Sequence, residues 1–256
     1  MTAARIIFAG DGATAARALA HLADRADIQV MGLLVHSPES ARDTEAMRGH
    51  VPDAAMIEGD TVNTPAAREQ LAALAPDWLI SLNYAVILRP ETLSVVPPNR
   101  AVNIHTGLLP EQRGRYPNFW ALYEGRPGGV TMHVMTPGID EGDILARREV
   151  PTEWTDTAET LYARLQETAL ALLAEKLTPL LEGRLPPVKQ TGAWPTRRRS
   201  DFLARRHIDL DAPTTARSLF NHLRAFAYTG DPGVQFEDGG QRYSVSIKIA
   251  RINPGS

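Results

Sequence analysis

The chain has 256 residues, 43% hydrophobic, 22% charged and 6% aromatic, with a formal net charge of −3 and a pI near 6.2. That length can bury a core without staples, and the absence of cysteine excludes disulfides, a Cys nucleophile and any thiolate-held metal. The acidic balance disfavours the nucleic-acid backbone as the main partner, and no run approaches the roughly 18 apolar residues of a membrane span.

Arg5–Ala9 is an apolar, β-branched strand that follows Met1 without a leader-like segment, and Gly10-Asp11-Gly12 ends it. Thr14 to Ala23 reads as a helix with Ala15, Ala18, Leu19 and Leu22 on one face. Ile28–His36 is a second strand, Pro65–Leu74 a helix, and Trp78–Leu82 and Ala101–His105 are further strands. Strands alternating with helices predict βαβ units and a parallel sheet. Gly129–Met135 and Ile144–Val150 flank the loop Thr136–Asp143. Asp156 with Glu159 reads as a capping box opening a long leucine-striped helix that runs to Gly183, with Pro179 near its end. The texture changes after Pro186-Pro187. Arg197–Arg199 reads as solvated linker, a helix lies near Pro213–Phe226, and two strands around Asp238-Gly239-Gly240 predict a hairpin. The expected organisation is an α/β domain at 1–185 and a small C-terminal module at 186–256, in a soluble cytoplasmic protein.

Gly10-Asp11-Gly12 lacks the third glycine of a dinucleotide fingerprint, because position 15 is Ala, so it reads as a tight strand–helix turn. Asn103 and His105 are more informative. Side chains alternate along a strand, so both emerge on one face near the carboxyl end of a parallel strand, where open α/β sheets bind ligands. Gly138-Ile139-Asp140-Glu141-Gly142 forms a glycine-bracketed acidic loop without the ligand pattern of a calcium loop, and no metal is expected. No G-x-S-x-G elbow occurs. Asn, His and Asp therefore point to acyl transfer without a covalent intermediate, Asn103 and His105 donating to an oxyanion while Asp140 orients His105.

These residues resemble the 10-formyltetrahydrofolate-dependent formyltransferases. The chain carries N-I-H-T-G-L-L-P-E-Q-R-G at 103–114 and G-I-D-E-G-D-I-L at 138–145, with Asp140 35 positions after His105. The resemblance implies a Rossmann-like, mostly parallel sheet flanked by helices, with Asn103, His105 and Asp140 as the catalytic set. It implies a folate donor, 10-formyltetrahydrofolate leaving as tetrahydrofolate, along Asn83, Tyr84, Ala85, Ile87 and Leu88. Against these would lie Gly107, Leu108, Leu109 and Pro110, then Thr136 and Ile139. Gly107 stands where the family usually has Ser.

Within the family the chain is most similar to sugar N-formyltransferases, by R-G-R-Y-P-N-F-W-A at 113–121, W-T-D-T-A-E-T-L-Y at 154–162 and F-E-D-G-G-Q-R-Y-S-V at 236–245. The implied acceptor is the amine of a nucleotide-linked amino-dideoxy sugar, dTDP-linked first. Tyr84, Tyr116, Arg224 and Tyr228 are candidate acceptor contacts, each open to a plain packing or surface role, while Phe119 and Trp120 read as core. Ala227-Tyr228-Thr229-Gly230 departs from the aromatic and proline expected after Arg224-Ala225. A homodimer through the C-terminal module is expected, as in relatives. Methionyl-tRNA, a hydroxyornithine-like amine, or a non-catalytic folate-binding role are the alternatives.

Overall fold

The computed structural model describes residues 3–42 and 44–252; Met1 and Thr2, on which the leaderless reading partly rests, lie outside them. The elements in chain order are β1 (Ala4–Gly10), α1 (Gly12–Ala23), β2 (Ile28–Val35), α2 (Thr44–Met47), β3 (Met56–Glu58), α3 (Pro65–Ala73), β4 (Trp78–Leu82) and α4 (Pro90–Leu93). There follow β5 (Ala101–His105), α5 (Pro117–Glu124), β6 (Gly128–Val134), β7 (Ile144–Val150), α6 (Ala158–Leu181), α7 (Arg199–Leu203), α8 (Ala216–Ala225), β8 (Val234–Asp238) and β9 (Gln241–Val245).

β1 to β7 form one sheet in the order β3-β2-β1-β4-β5-β6-β7. The pairs β1–β2, β2–β3, β1–β4 and β4–β5 are parallel, and β5–β6 is antiparallel. This is the Rossmann-like, mostly parallel arrangement with flanking helices, followed by the antiparallel hairpin β8–β9. Ile6, Ile7, Phe8 and Ala9 of β1 are fully buried, which explains an apolar run without alternation: helices cover both faces of a parallel sheet. α1 turns Ala15, Ala18, Leu19 and Leu22 inward, as the spacing predicts. Gly10 has a packing reason. A Cβ there would stand 2.7 Å from that of Ala15 and 3.0 Å from the Leu82 carbonyl, so glycine lets helix and strand approach closely.

The chain forms two compact units, interleaved in sequence. The first comprises residues up to His105, Thr131–Arg147 and Ala169–Thr191, and its core gathers Ile7, Leu34, Leu71, Leu79 and Leu88. The second comprises Thr106–Val130, Arg148–Thr168 and the residues from Gly192 on. Its core is aromatic: Phe119 and Phe226 are buried, with Phe202 4.9 Å from each. Among the described residues no helix is long and apolar enough to cross a membrane.

Two local expectations need correction. α6 is capped not by Asp156 with Glu159 but one residue later. Thr160 N donates to Thr157 Oγ1 at 3.2 Å, and Thr157 N donates to Thr160 Oγ1 at 2.9 Å. Asp156 instead accepts from Glu153 N and Arg164, each at 2.7 Å, an engagement that leaves the cap to the threonine pair. The segment at Arg197 is not a solvated linker. Its backbone bonds Arg113 and Arg115, and its guanidinium lies 4.2 Å above the Trp120 ring while pairing with Glu124 at 2.5 Å.

Candidate active site

β5 places Asn103 and His105 on one face, and its two neighbours fix their surroundings. Ser81 of β4 lies beside Asn103 in parallel register, and His133 of β6 lies opposite Asn103 in antiparallel register. The loop between β6 and β7 then returns Asp140 over these strands. Asp140 Oδ2 lies 3.5 Å from His105 Nδ1, and its Oδ1 lies 3.4 Å from His133 Nε2. The site is thus one carboxylate between two imidazoles, the rings edge to face at 6.5 Å. The side chains are largely shielded: His105 is 10% exposed, Asp140 13% and His133 3%. Low solvent access strengthens each of these polar contacts.

His133 completes the cluster and was not singled out by the sequence reading. Its Nε2 lies 3.2 Å from Asn103 Nδ2, and its Nδ1 lies 2.9 Å from the Val134 carbonyl. A carbonyl only accepts, so Nδ1 carries a proton and donates. Neutral His133 then accepts from the Asn103 amide through Nε2; protonated His133 donates to Asp140 instead. One ring therefore orients Asn103 or neutralises Asp140, according to where the proton sits. The signal in the sequence was weak, because His133 faces the site only once β6 is known to run antiparallel to β5.

The sheet brings Asn103, His105 and Asp140 together as their spacing predicts. Of the donor-loop candidates, Asn83 takes a left-handed backbone with φ 59°, and Leu88 is buried in the core. Tyr84 stacks on His36 at 5.3 Å, and burial pushes its hydroxyl well above the usual tyrosine range. Ala85 N donates to His36 Nε2 at 2.9 Å, while His36 Nδ1 lies 3.2 Å from Asp11, so the loop after β4 is tied to β1 and β2. Ile87 is 58% exposed and Ile139 39%, two large apolar side chains left bare on loops of this unit, and Thr136 is exposed as well.

The remaining candidates belong to the second unit. Gly107, Leu109 and Pro110 are buried, and Leu108 N donates to Gln112 Oε1 at 2.8 Å. Tyr116 has φ 62° at the start of α5 and packs 4.5 Å from Phe202. Arg224 is buried, donates to Asn221 Oδ1 and the Glu153 carbonyl, and lies 5.1 Å from the Trp154 ring. Tyr228 is 42% exposed, edge-on to Tyr162. No group of three metal-ligating side chains occurs among the described residues.

Fold and cluster define a class: a Rossmann-like α/β protein whose last parallel strand presents an Asn-x-His pair to an aspartate from a following loop. Within it the chain belongs to the formyl transferase family, whose model matches residues 4–177. A second model, the N-formyltransferase dimerization C-terminal domain, matches residues 201–251. The methionyl-tRNA formyltransferase of Anaeromyxobacter dehalogenans (strain 2CP-C) is 37% identical over 169 residues, covering 63% of this chain and 54% of that protein. The chain therefore spans about half the length of this relative. Among solved structures, a sugar N-formyltransferase from Shewanella sp. FDAARGOS_354 superposes with a TM-score of 0.83 at 22% identity, covering 98% of this chain and 99% of that one. An N-formyltransferase from Helicobacter canadensis, solved with folinic acid and dTDP-3-aminofucose, gives a TM-score of 0.63 at 19% identity, covering 88% and 81%.

Proposed function

We propose that the protein transfers a formyl group from 10-formyltetrahydrofolate to the primary amine of a nucleotide-linked amino-dideoxy sugar, a dTDP-linked one first among candidates. The observation that carries this reading is the Asn103–His105–Asp140 cluster, with Asp140 3.5 Å from His105 and shielded from solvent. The bare Ile87 and Ile139 side chains suit a flat heteroaromatic donor, and folinic acid in the Helicobacter relative supports a folate there. The donor supplies an activated formyl carbon.

The chain's own residues do the rest. Asn103 and His105 donate hydrogen bonds to the formyl oxygen as the amine adds to the carbon and negative charge collects on that oxygen. Asp140, 3.5 Å from Nδ1, holds the His105 ring in orientation. Nε2 of His105, directly or through water, takes the proton that the attacking nitrogen sheds, donates it in a hydrogen bond to the charged oxygen, and then passes it to the departing N10. The new carbon–nitrogen bond replaces the old one, and no covalent enzyme intermediate forms. Holding both partners in line supplies much of the acceleration.

The C-terminal module favours the sugar acceptor, since the superposition on the Shewanella sugar N-formyltransferase extends over 98% of this chain and residues 201–251 match an N-formyltransferase dimerization domain. The second reading, a methionyl-tRNA acceptor, is favoured by the 37% identity to the Anaeromyxobacter enzyme. The module at 186–256 is read as a dimerisation element, with Tyr116 and Tyr228 as acceptor contacts; Arg224 would reach an acceptor only by leaving its internal partners. The deciding experiment is mass spectrometry of reactions containing 10-formyltetrahydrofolate and a panel of dTDP-, GDP- and UDP-linked amino sugars, with charged initiator tRNA alongside. A formylated sugar from one nucleotide class upholds the proposal and names the substrate. Product on tRNA alone transfers the protein to the second reading, and silence throughout overturns both.

A further inference from the structure

Gln190 lies beyond the stretch that the formyl transferase model matches, yet it reaches the backbone of the Asp140 loop. The segment before it runs along the start of β7: Ile144 N donates to the Val188 carbonyl and Val188 N to the Ile144 carbonyl, both at 2.8 Å. That bridge delivers the Gln190 side chain to two carbonyls. Its Nε2 donates to Asp140 O at 2.8 Å and to Gly142 O at 2.7 Å, the residues on either side of Glu141. A primary amide carries two protons, and each carbonyl takes one.

The loop has reason to need this grip. Asp140 holds φ 53°, a left-handed conformation that a residue with a Cβ adopts reluctantly. Gly142 runs so close to β6 that a Cβ would stand 1.8 Å from the Val134 carbonyl. Thr136, Pro137, Ile139 and Glu141 are exposed, so little burial fixes the turn. We propose that Gln190 is a positioning residue for formyl transfer, acting through Asp140 by clamping the two backbone carbonyls that set the height of its carboxylate over His105 and His133. The proposal rests on the catalytic reading above for what is lost when the clamp fails.

Three substitutions separate a clamp from mere packing. Gln190→Met keeps the shape without donors, Gln190→Lys keeps donors on a flexible stem, and Gln190→Glu sets a negative charge against two carbonyl oxygens. With the acceptor that the wild type formylates, kcat should fall about 30-fold for Gln190→Met, more for Gln190→Glu, and only about 3-fold for Gln190→Lys, the size expected of a misplaced catalytic group. In an Asp140→Asn background, adding Gln190→Met should change kcat by less than about twofold, because the two residues act as one unit. Hydrogen exchange supplies a readout independent of activity: amides 139–143 should exchange faster in Gln190→Met than in the wild type, with protection regained in Gln190→Lys. Methionine tolerated as well as lysine, losses that multiply in the Asp140→Asn background, or unchanged exchange at 139–143 would each overturn the clamp. A wild type silent on every acceptor overturns the catalytic reading alone, and the exchange arm still decides whether Gln190 holds the loop.

Discussion

Asp140 faces two imidazoles with its two oxygens, and the contacts can be removed one at a time. Replacing Asn103, His105 or Asp140 by Ala should lower turnover by about 100- to 1000-fold each, the usual loss when a preorganised donor or its support goes. Circular dichroism should stay at wild-type values, since all three are small polar groups at strand or loop positions. Near-normal turnover in all three variants would remove the assignment. His133→Asn is expected to act more mildly. It deletes an orienting contact worth about 1 kcal/mol, so steady-state assays should show a roughly five- to tenfold loss in kcat. The trio was legible because period-two alternation sets Asn103 and His105 on one face and because the two motifs lie at the family's spacing. His133 was hidden because its approach to Asn103 depends on strand pairing, which local pattern does not encode.

At the level of helices, the threonine pair that opens α6 invites a direct test. Thr157→Ala should cost about 1 kcal/mol and lower the midpoint of thermal unfolding by roughly 2–4 °C for a chain of this size. An unchanged midpoint would place the cap elsewhere. The sequence pointed one residue too early because Asp156 is as good a cap type as Thr157; its carboxylate is drawn off by Arg164 instead. α8 carries a pH dependence. Burial, the largest influence, and the neighbouring Arg205 charge together hold the His222 ring below its usual pKa, outweighing its bond to the Arg205 carbonyl. A depressed histidine binds fewer protons folded than unfolded. Its stabilisation is therefore complete above about pH 6.5, the unfolded value, and is lost as pH falls through the unfolded value towards the folded one. Melting curves between pH 7.5 and 5.5 should show falling stability, with a shallower slope in His222→Gln. Asp231 works at lower pH. Burial would raise its carboxyl, but Arg206 and the Gly233 amide together hold it below the ordinary range, so its contribution disappears only as pH falls below about 4.

For the molecule as a whole, the alternation of strands and helices declared an α/β sheet, and the two glycines at 239–240 declared the terminal hairpin. What the pattern concealed is the interleaving of the two units, since segments far apart in sequence share each of them. Linear composition registers only the change of texture after Pro186-Pro187. The match of residues 201–251 to a dimerization domain carries a further expectation. Sedimentation velocity should return a species of twice the 28.0 kDa chain mass. Tyr243, 47% exposed on β9 and stacked with Phe236, is the side chain whose change to Asp should shift that species towards monomer. A wild-type chain that sediments as a monomer at assay concentrations would remove the dimer from the proposal.

The left-handed turn at Asp140 also constrains the history open to this sequence. Among residues with a Cβ, Asn and Asp tolerate φ 53° best, so neutral drift at this position is confined to them and to glycine. A lineage that abandoned the chemistry while keeping the loop would pass through Asn or Gly at 140. Finding valine or leucine there in a descendant would show that the backbone of 138–142 had been rebuilt before the function was lost.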